Sequence, residues 1–277
     1  MASSFISRGA AGYDSYMGRW SQRLAPLFLD FAGVGVNEIV ADLGCGTGSL
    51  TFEVARRSEV ARIEAIDYES DFIGALLERN QDARVHARQG DACALPFKDA
   101  EFDRAYSMLV LHFVADSQRA IDEMRRVVRP GGVAAATVWD TFGGMPALRI
   151  FWDTAAAVEA TAITRRASSI VRPMASSGEL RSGFLRAGFV DVSDAMLTIR
   201  MDFDFFEDYW HPLLTGQGTV RDFLAGLPDL TRAQMRMVFV RLILEGDLMV
   251  HAASPASLGR FVAQCPRQHS SLRLRDH

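Results

Sequence analysis

The pattern of apolar and polar residues changes character along the chain. Between residues 38 and 139, short apolar runs alternate with segments of helical periodicity, which predicts strands separated by helices. The predicted strands are 38–43, 61–67, 84–89, 102–110 and 133–139, and the predicted helices are 49–57, 71–78 and about 121–128. This alternation with short connections favours an α/β fold, a doubly wound parallel sheet with helices on both faces.

The segments on either side of this region follow other patterns. Residues 13–31 carry an apolar stripe at helical spacing, which predicts one amphipathic helix. After residue 140 come predicted helices at 146–159 and 177–187, an edge strand at 188–202, an aromatic-rich helical stretch at 203–246 and a last strand at 258–265. We therefore expect an N-terminal helix (1–35), a core (36–145) and a remainder (146–277) with a helical cap at about 203–250.

Composition narrows the class of protein. The chain has 277 residues, of which 49% are hydrophobic, and this is enough for a well-packed core. A net charge of −4 argues against a nucleic-acid-binding face. No apolar run reaches the length of a membrane span, and no secretory signal is evident. Three separated cysteines without metal spacing indicate a reduced compartment, so we expect a cytoplasmic protein without a metal site.

Carboxylates stand at or beside the ends of three early strands, at Asp42, Asp67 and Asp91. Glycines alternate in the turn after the first of them, at Gly44, Gly46 and Gly48. Parallel strands point their carboxyl ends the same way, so these groups are expected to converge on one crevice. Each aspartate alone could be a helix cap or a turn former, but the three together indicate a binding site.

The turn chemistry bears on which ligand the crevice takes. A nucleoside triphosphate needs a lysine in the loop, and none lies between residues 42 and 50. A dinucleotide site has Gly-x-Gly-x-x-Gly spacing and needs one acid for the ribose, whereas this loop reads Gly-x-Gly-x-Gly. An adenosine joined to a cationic, amine-bearing tail fits three carboxylates better, although an NAD-linked oxidoreductase stays an alternative.

These residues stand in segments that resemble the motifs of class I S-adenosylmethionine-dependent methyltransferases of the small-molecule type. In order, the segments are Ala41-Asp-Leu-Gly-Cys-Gly-Thr-Gly48, Ala65-Ile-Asp67, Gly90-Asp-Ala-Cys-Ala-Leu-Pro-Phe97, Phe102-Asp-Arg-Ala-Tyr106 and Arg126-Val-Val-Arg-Pro-Gly-Gly132. They cover about residues 36 to 140. The resemblance implies a Rossmann-like seven-stranded sheet with an antiparallel last strand, S-adenosyl-L-methionine as cofactor and S-adenosyl-L-homocysteine as product.

The resemblance also implies roles for individual residues around the cofactor. The implied contacts are Gly44, Cys45, Gly46 and Gly48 with the methionine moiety, Asp42 with its amine, Asp67 with the ribose hydroxyls, Tyr68 with the adenine face, Asp91 and Ala92 with the adenine edge, and Met108 and Leu109 with the sulfonium side. Residues 13–20 resemble the lid helix of small-molecule members. Tyr13, Tyr16 or Arg19 would then touch cofactor or substrate, and the alternative is a helix that only packs on the domain edge.

Two histidines are candidates for a catalytic base, which is needed only if the acceptor must lose a proton. His112 follows the fourth predicted strand, and a partly buried core histidine is the alternative role. His211 lies beside Trp210 in the aromatic stretch, which could form an apolar acceptor pocket or simply the core of the cap.

The sequence does not identify the methyl acceptor. The acidic composition disfavours nucleic acid as the acceptor. We expect a small, partly apolar molecule. A protein that binds S-adenosylmethionine without turnover is a further alternative. The oligomeric state is undecided, with a homodimer as one option.

Overall fold

The computed structural model describes residues 9–142, 144–216 and 218–242, together with the backbone of 255–264. The strands in this part of the chain are β1 (Ile39–Leu43), β2 (Arg62–Asp67), β3 (Val85–Gln89), β4 (Phe102–Met108), β5 (Val128–Trp139), β6 (Val190–Arg200) and β7 (Pro255–Gln264). They form one sheet in the order β3-β2-β1-β4-β5-β7-β6. Strands β1 to β5 are parallel, and β7 pairs antiparallel with β5 and β6.

Helices cover both faces of this sheet. The helices, in chain order, are α1 (Ala10–Tyr13), α2 (Arg19–Ala32), α3 (Ser49–Arg57), α4 (Ser70–Arg79), α5 (Ser117–Val127), α6 (Pro146–Val158), α7 (Thr161–Ile170), α8 (Glu179–Arg186), α9 (Phe206–Thr215), α10 (Thr219–Ala225) and α11 (Asp229–Val240). Val40 and Ala41 are adjacent and both fully buried, yet they belong to different hydrophobic clusters. Because successive strand residues point to opposite faces, both faces are apolar, and the predicted α/β fold with a parallel sheet is confirmed.

The sheet order places a crevice at the carboxyl end of β1. From β1 the chain continues through β2 and β3 on one side, and β4 pairs on the other side of β1. Loops that leave β1 and β4 therefore diverge to opposite faces, which is where ligands bind in open α/β sheets.

Two boundaries in the core differ from the prediction. Pro130-Gly131-Gly132 was expected to separate helix from strand, but α5 ends at Val127 and β5 begins at once. Strand β5 has more residues than β4 in this region, and the pairing accommodates them by a register shift between Phe102 and Arg104 of β4. Gly131 has a positive φ of 79° in this part of β5. Strand β4 ends at Met108, two residues before its predicted end, because Leu109 has φ 65° and leaves the extended region.

The predicted N-terminal helix contains a π-helical turn, Asp14–Gly18, between α1 and α2. Side-chain periodicity alone does not distinguish this wider turn from regular α-helix. Such turns inside α-helices are frequent at functional sites.

The helical cap draws on two segments of the chain. Helices α6 and α7 precede β6, and α9 to α11 follow it, and all five contribute to one aromatic core. Phe151 stacks on Phe239, for example, with ring centroids 5.5 Å apart. Helix α7 was not predicted because only Ala162 of its residues is buried, which leaves no apolar stripe to detect.

Parts of the predictions fall outside the described residues: the end of the cap, 243–250, and Cys265 at the end of the last predicted strand. None of the helices in the described part is long and apolar enough to cross a membrane.

Candidate functional site

The glycine loop after β1 is fastened to the end of β2. The backbone N–H groups of Gly44 and Cys45 donate to the Ile66 carbonyl oxygen at 2.7 and 3.0 Å. Gly44 has φ 79°, and a Cβ added there would lie 2.2 Å from Cγ2 of Val110. Only glycine allows both this backbone angle and this close approach, so the loop leaves an open cradle above the strand ends.

The Asp67 carboxylate holds the other side of the cradle. Its Oδ2 accepts from the Gly46 N–H at 2.8 Å, and its Oδ1 accepts from the Glu69 N–H at 2.9 Å. Burial raises the pKa of Asp67 to about 6, although these two N–H donors act in the opposite direction. A carboxylate held in place at a pocket wall is suited to accept hydrogen bonds from ligand hydroxyls.

Asp42 lies behind the loop, where it is almost completely buried. Its Oδ2 accepts from the Thr51 hydroxyl at 2.6 Å, whereas its Oδ1 has no hydrogen-bond partner among the residues that the structure describes. Burial, together with the charge of Asp67, raises the pKa of Asp42 to about 7. This unsatisfied oxygen under the glycine loop would favour a cation placed above it.

These groups surround a first pocket, the strand-end pocket, of about 810 Å³ including its open mouth. Of the residues expected to contact a cofactor, those that line it are Gly44, Gly46, Asp67, Tyr68, Asp91, Ala92, Met108 and Leu109. Asp42, Cys45 and Gly48 do not line it; Cys45 is buried in the core and Gly48 caps α3. Tyr68 is 48% exposed and so has a free face for a flat ligand group.

The strand-end pocket also has walls that sequence reasoning did not assign. Phe72 lines it and packs on Tyr13 with ring centroids 5.0 Å apart. Phe72 belongs to the apolar stripe of α4, so its sequence pattern resembles that of an ordinary core residue. Phe113 and Val114, which follow β4, complete this wall.

A second pocket, the cap pocket, lies between the sheet and the cap and encloses about 1160 Å³ including its mouth. Its lining includes Tyr13 and Tyr16 from the N-terminal segment, His112 after β4, and residues of α6, α7 and α10. Tyr13, Leu109 and Phe113 line both pockets. The two pockets therefore adjoin at this shared wall.

His112 is 1% exposed, and neither ring nitrogen has a hydrogen-bond partner among the described residues. Burial lowers its pKa to about 3, and the positive charge of Arg172 contributes. The ring is therefore neutral at physiological pH and offers one donor and one acceptor to a group in the cap pocket.

Three predicted substrate contacts lie outside both pockets. Arg19 donates to Asp208 Oδ1 at 2.7 Å and so joins the N-terminal segment to the cap. Trp210 is buried in the aromatic core of the cap, and His211 is exposed on its surface.

The N-terminal segment is also fastened to the glycine loop. Asp14, in the π-helical turn, accepts from the Thr47 hydroxyl at 2.6 Å and from Arg79 at 2.5 Å. Thr47 lies in the glycine loop and Arg79 ends α4. Both contacts hold Tyr13 where it borders the two pockets.

A comparison with known protein families identifies the domain that carries the strand-end pocket. The family described as "Methyltransferase domain" matches residues 41–136, which include the glycine loop and both walls formed after β2 and β4. This segment is a class I S-adenosylmethionine-dependent methyltransferase domain. The predicted family is thereby confirmed, and S-adenosylmethionine is the cofactor of that family.

Relatives that are named methyltransferases agree with this assignment. A malonyl-[acyl-carrier protein] O-methyltransferase from Pseudescherichia vulneris is 34% identical over 147 residues, which are 53% of this chain and 56% of that protein. The chain thus spans about half the length of the curated relatives that it matches.

Solved structures share the fold of this chain over most of its length. A phosphoethanolamine N-methyltransferase from Haemonchus contortus, in complex with S-adenosylhomocysteine, gives a TM-score of 0.59 at 18% identity and covers 93% of this chain and 57% of that one. The [4+2]-cyclase SpnF gives 0.53 at 20% identity and covers 89% and 81%. The fold is thus shared by proteins whose stated reactions differ.

Proposed function

We propose that the protein is an S-adenosylmethionine-dependent methyltransferase that acts on a small, partly apolar molecule held in the cap pocket. The observation that carries this proposal is the wall shared by the two pockets, formed by Tyr13, Leu109 and Phe113. A cofactor in the strand-end pocket and an acceptor in the cap pocket would come into contact beside these three residues, where the two pockets adjoin. Methyl transfer requires such contact in line between donor and acceptor.

The residues present fit the cofactor. Gly44 and Gly46 leave a cradle without side chains for a methionine moiety. Asp42, two residues before Gly44, has a buried carboxylate oxygen without a hydrogen-bond partner among the described residues. We assign the ribose hydroxyls to Asp67 and the adenine face to Tyr68. The remaining proposed contacts are Asp91 and Ala92 at the adenine edge and Met108 and Leu109 beside the sulfonium, with Cys45 and Gly48 shaping the loop.

The chain's own residues would orient the reactants and exclude water. S-adenosylmethionine, when bound, supplies an activated methyl group that leaves its sulfonium by in-line displacement. Alignment across the shared wall and removal of water can supply much of the rate acceleration. Neutral His112 can accept a hydrogen bond from an acceptor hydroxyl or amine, but its low pKa makes it a weak base.

Binding of S-adenosylmethionine is expected to weaken as pH falls. Burial raises the pKa of Asp42 to about 7 and that of Asp67 to about 6, and a cationic amine and hydroxyl donors favour the ionised forms. Ligand binding therefore releases protons. Between pH 8 and pH 5 the dissociation constant should rise by about 100-fold through Asp42 and about tenfold through Asp67, about 1000-fold in all, when both carboxyls stay ionised in the complex. Calorimetry across this range measures it.

The pH response has an internal control. Asp42→Asn should remove the part of the profile near pH 7 and leave the part near pH 6. A dissociation constant that stays flat from pH 8 to pH 5 would show that neither carboxyl is linked to the ligand.

The N-terminal segment is proposed to act as a lid. Asp14→Ala removes the contacts to Thr47 and Arg79 that hold this segment on the glycine loop. We expect S-adenosylhomocysteine to dissociate about three- to tenfold faster, since about 1 kcal/mol of closure is lost, with little change in thermal stability. Stopped-flow fluorescence measures the rate.

Asp30→Ala is the matched control for the lid. Asp30 lies in α2 of the N-terminal segment, and its substitution removes an exposed ion pair with Arg57 of α3. Neither residue lines the strand-end pocket or the cap pocket. Equal dissociation rates in the Asp14 and Asp30 variants would contradict the lid.

Other functions remain distinguishable by experiment. A silent S-adenosylmethionine-binding protein, or one that catalyses another reaction as the cyclase neighbour is stated to do, would bind the cofactor without transferring its methyl group. Incubation with S-adenosylmethionine labelled in the methyl group and a broad set of small acceptors should give labelled product. Cofactor binding without label transfer to any acceptor would contradict the proposed activity.

We also propose the sheet type, the location and the partner class of the protein. The seven-stranded sheet with an antiparallel last strand would be that of the small-molecule methyltransferases. A cytoplasmic location and a small-molecule rather than nucleic-acid partner are supported by the free thiols of Cys45 and Cys93 and the net charge of −4.

A further inference from the structure

The cap pocket has an unbalanced charge. Arg149, Arg166 and Arg172 line it, whereas its described lining contains no aspartate or glutamate. Arg166 is neutralised by Asp153, at 2.6 Å between Nη1 and Oδ1. Arg149 and Arg172 form no ion pair with any described residue, so two positive charges face the pocket uncompensated.

Arg172 is the more enclosed of these two. Arg149 is exposed, but the Arg172 guanidinium is half-buried and lies 5.7 Å from the centroid of the Phe113 ring. Burial lowers the pKa of Arg172, which reflects the unfavourable environment of its charge. An anion bound against the guanidinium would relieve this cost, and a guanidinium matches the planar geometry of a carboxylate.

The position of Arg172 places such an anion near the site of transfer. Phe113, which the guanidinium contacts, belongs to the wall between the two pockets. Arg172 is also close enough to His112 for its charge to act on that ring. Both nitrogens of His112 are buried and without a partner among the described side chains, so the same corner of the pocket has unmet hydrogen-bonding capacity.

The rest of the pocket is suited to an apolar body. Its apolar lining includes Trp139, Met145, Leu148, Trp152, Ile170 and Val220. An acceptor that fills this space needs a large hydrophobic portion, and its polar group would be directed to the corner that holds Arg172 and His112.

We infer that the acceptor is an apolar small molecule that carries a carboxylate, and that Arg172 binds this carboxylate and thereby determines specificity. The inference rests on the proposed methyltransferase function and names the substrate class of the same site. His112 donates a further hydrogen bond to the polar end of the acceptor, since an ionised carboxylate only accepts. Arg172 is a binding residue here, and the cofactor contacts do not involve it.

The test compares matched carboxylates and carboxamides. The full chain is saturated with S-adenosylhomocysteine and titrated by calorimetry with a set of aryl and alkyl carboxylates, 2-naphthoate among them, and with the corresponding amides. Carboxylates are expected to bind about tenfold more tightly than their amides, because a hydrogen bond between two charged groups is stronger than one to a neutral amide. Arg172→Met should abolish the preference while keeping the contact with Phe113 and the affinity for S-adenosylhomocysteine.

Arg166→Gln is the matched control, because Arg166 lines the same pocket but is already neutralised by Asp153. It should retain the preference for carboxylates. Equal binding of acids and amides, no binding of any carboxylate in the set, or an unchanged preference in Arg172→Met would overturn the inference. Failure to bind S-adenosylhomocysteine would instead contradict the proposed function, so the two failures are distinguishable.

Discussion

Replacing Asp67 with alanine is expected to weaken S-adenosylmethionine binding by about 100-fold or more. The carboxylate is the proposed acceptor for two ribose hydroxyls, and each charge-assisted hydrogen bond contributes about 1.5–3 kcal/mol. The substitution also removes the bond from the Gly46 N–H, so the glycine loop loses one of its attachments to β2. Calorimetric titration with S-adenosylmethionine measures the loss.

Two further variants separate binding from folding. Asp71→Asn is the control, since Asp71 is exposed on α4 and lines neither pocket, and its affinity should match that of the wild type. Asp67→Asn retains an acceptor for Gly46 and should bind with intermediate affinity. Wild-type affinity in a folded Asp67→Ala protein would remove Asp67 from the cofactor site.

Replacing Gly44 with alanine is expected to destabilise the fold by about 3 kcal/mol and to disable the cofactor site. The positive φ of 79° costs an alanine about 1 kcal/mol, and overpacking typically costs a further 1–3 kcal/mol. The overpacking arises because the new Cβ would lie 2.2 Å from Val110 Cγ2. Chemical denaturation measures the free energy of unfolding.

Separate variants test the backbone part and the overpacking part of this loss of stability. Gly178 has a similar φ of 76° but nothing within 4 Å of an added Cβ, so Gly178→Ala should show the backbone cost alone. Adding Val110→Ala to Gly44→Ala should recover part of the stability, because it removes the methyl groups that clash. Equal losses in Gly44→Ala and Gly178→Ala would show that the close approach is unimportant.

The core and the strand-end pocket were predictable because their signals are local. A fully buried parallel strand such as β1 must be apolar on both faces, and the turn after it must be glycine where Val110 approaches. Asp67 ends β2 and Asp91 follows β3, and parallel pairing alone brings strand ends to one edge. The positions of these residues therefore follow from the order of elements.

The cap pocket could not be predicted in the same way. Arg172 and Arg149 stand in no motif, and they share a pocket with His112 only through the folding of the chain after β5. In α9, Tyr209 and Trp210 are buried, and the helical step of about 100° per residue turns the next residue, His211, to the surface. An aromatic stretch predicts an apolar surface but does not indicate whether it lines a pocket or packs within the cap.

The most direct test of the account is a calorimetric titration of the wild-type chain with S-adenosylhomocysteine and, separately, with NADH. We predict saturable binding of S-adenosylhomocysteine at one site per chain and no measurable heat from NADH. Binding of NADH without binding of S-adenosylhomocysteine would contradict the assignment of the strand-end pocket and favour the oxidoreductase alternative.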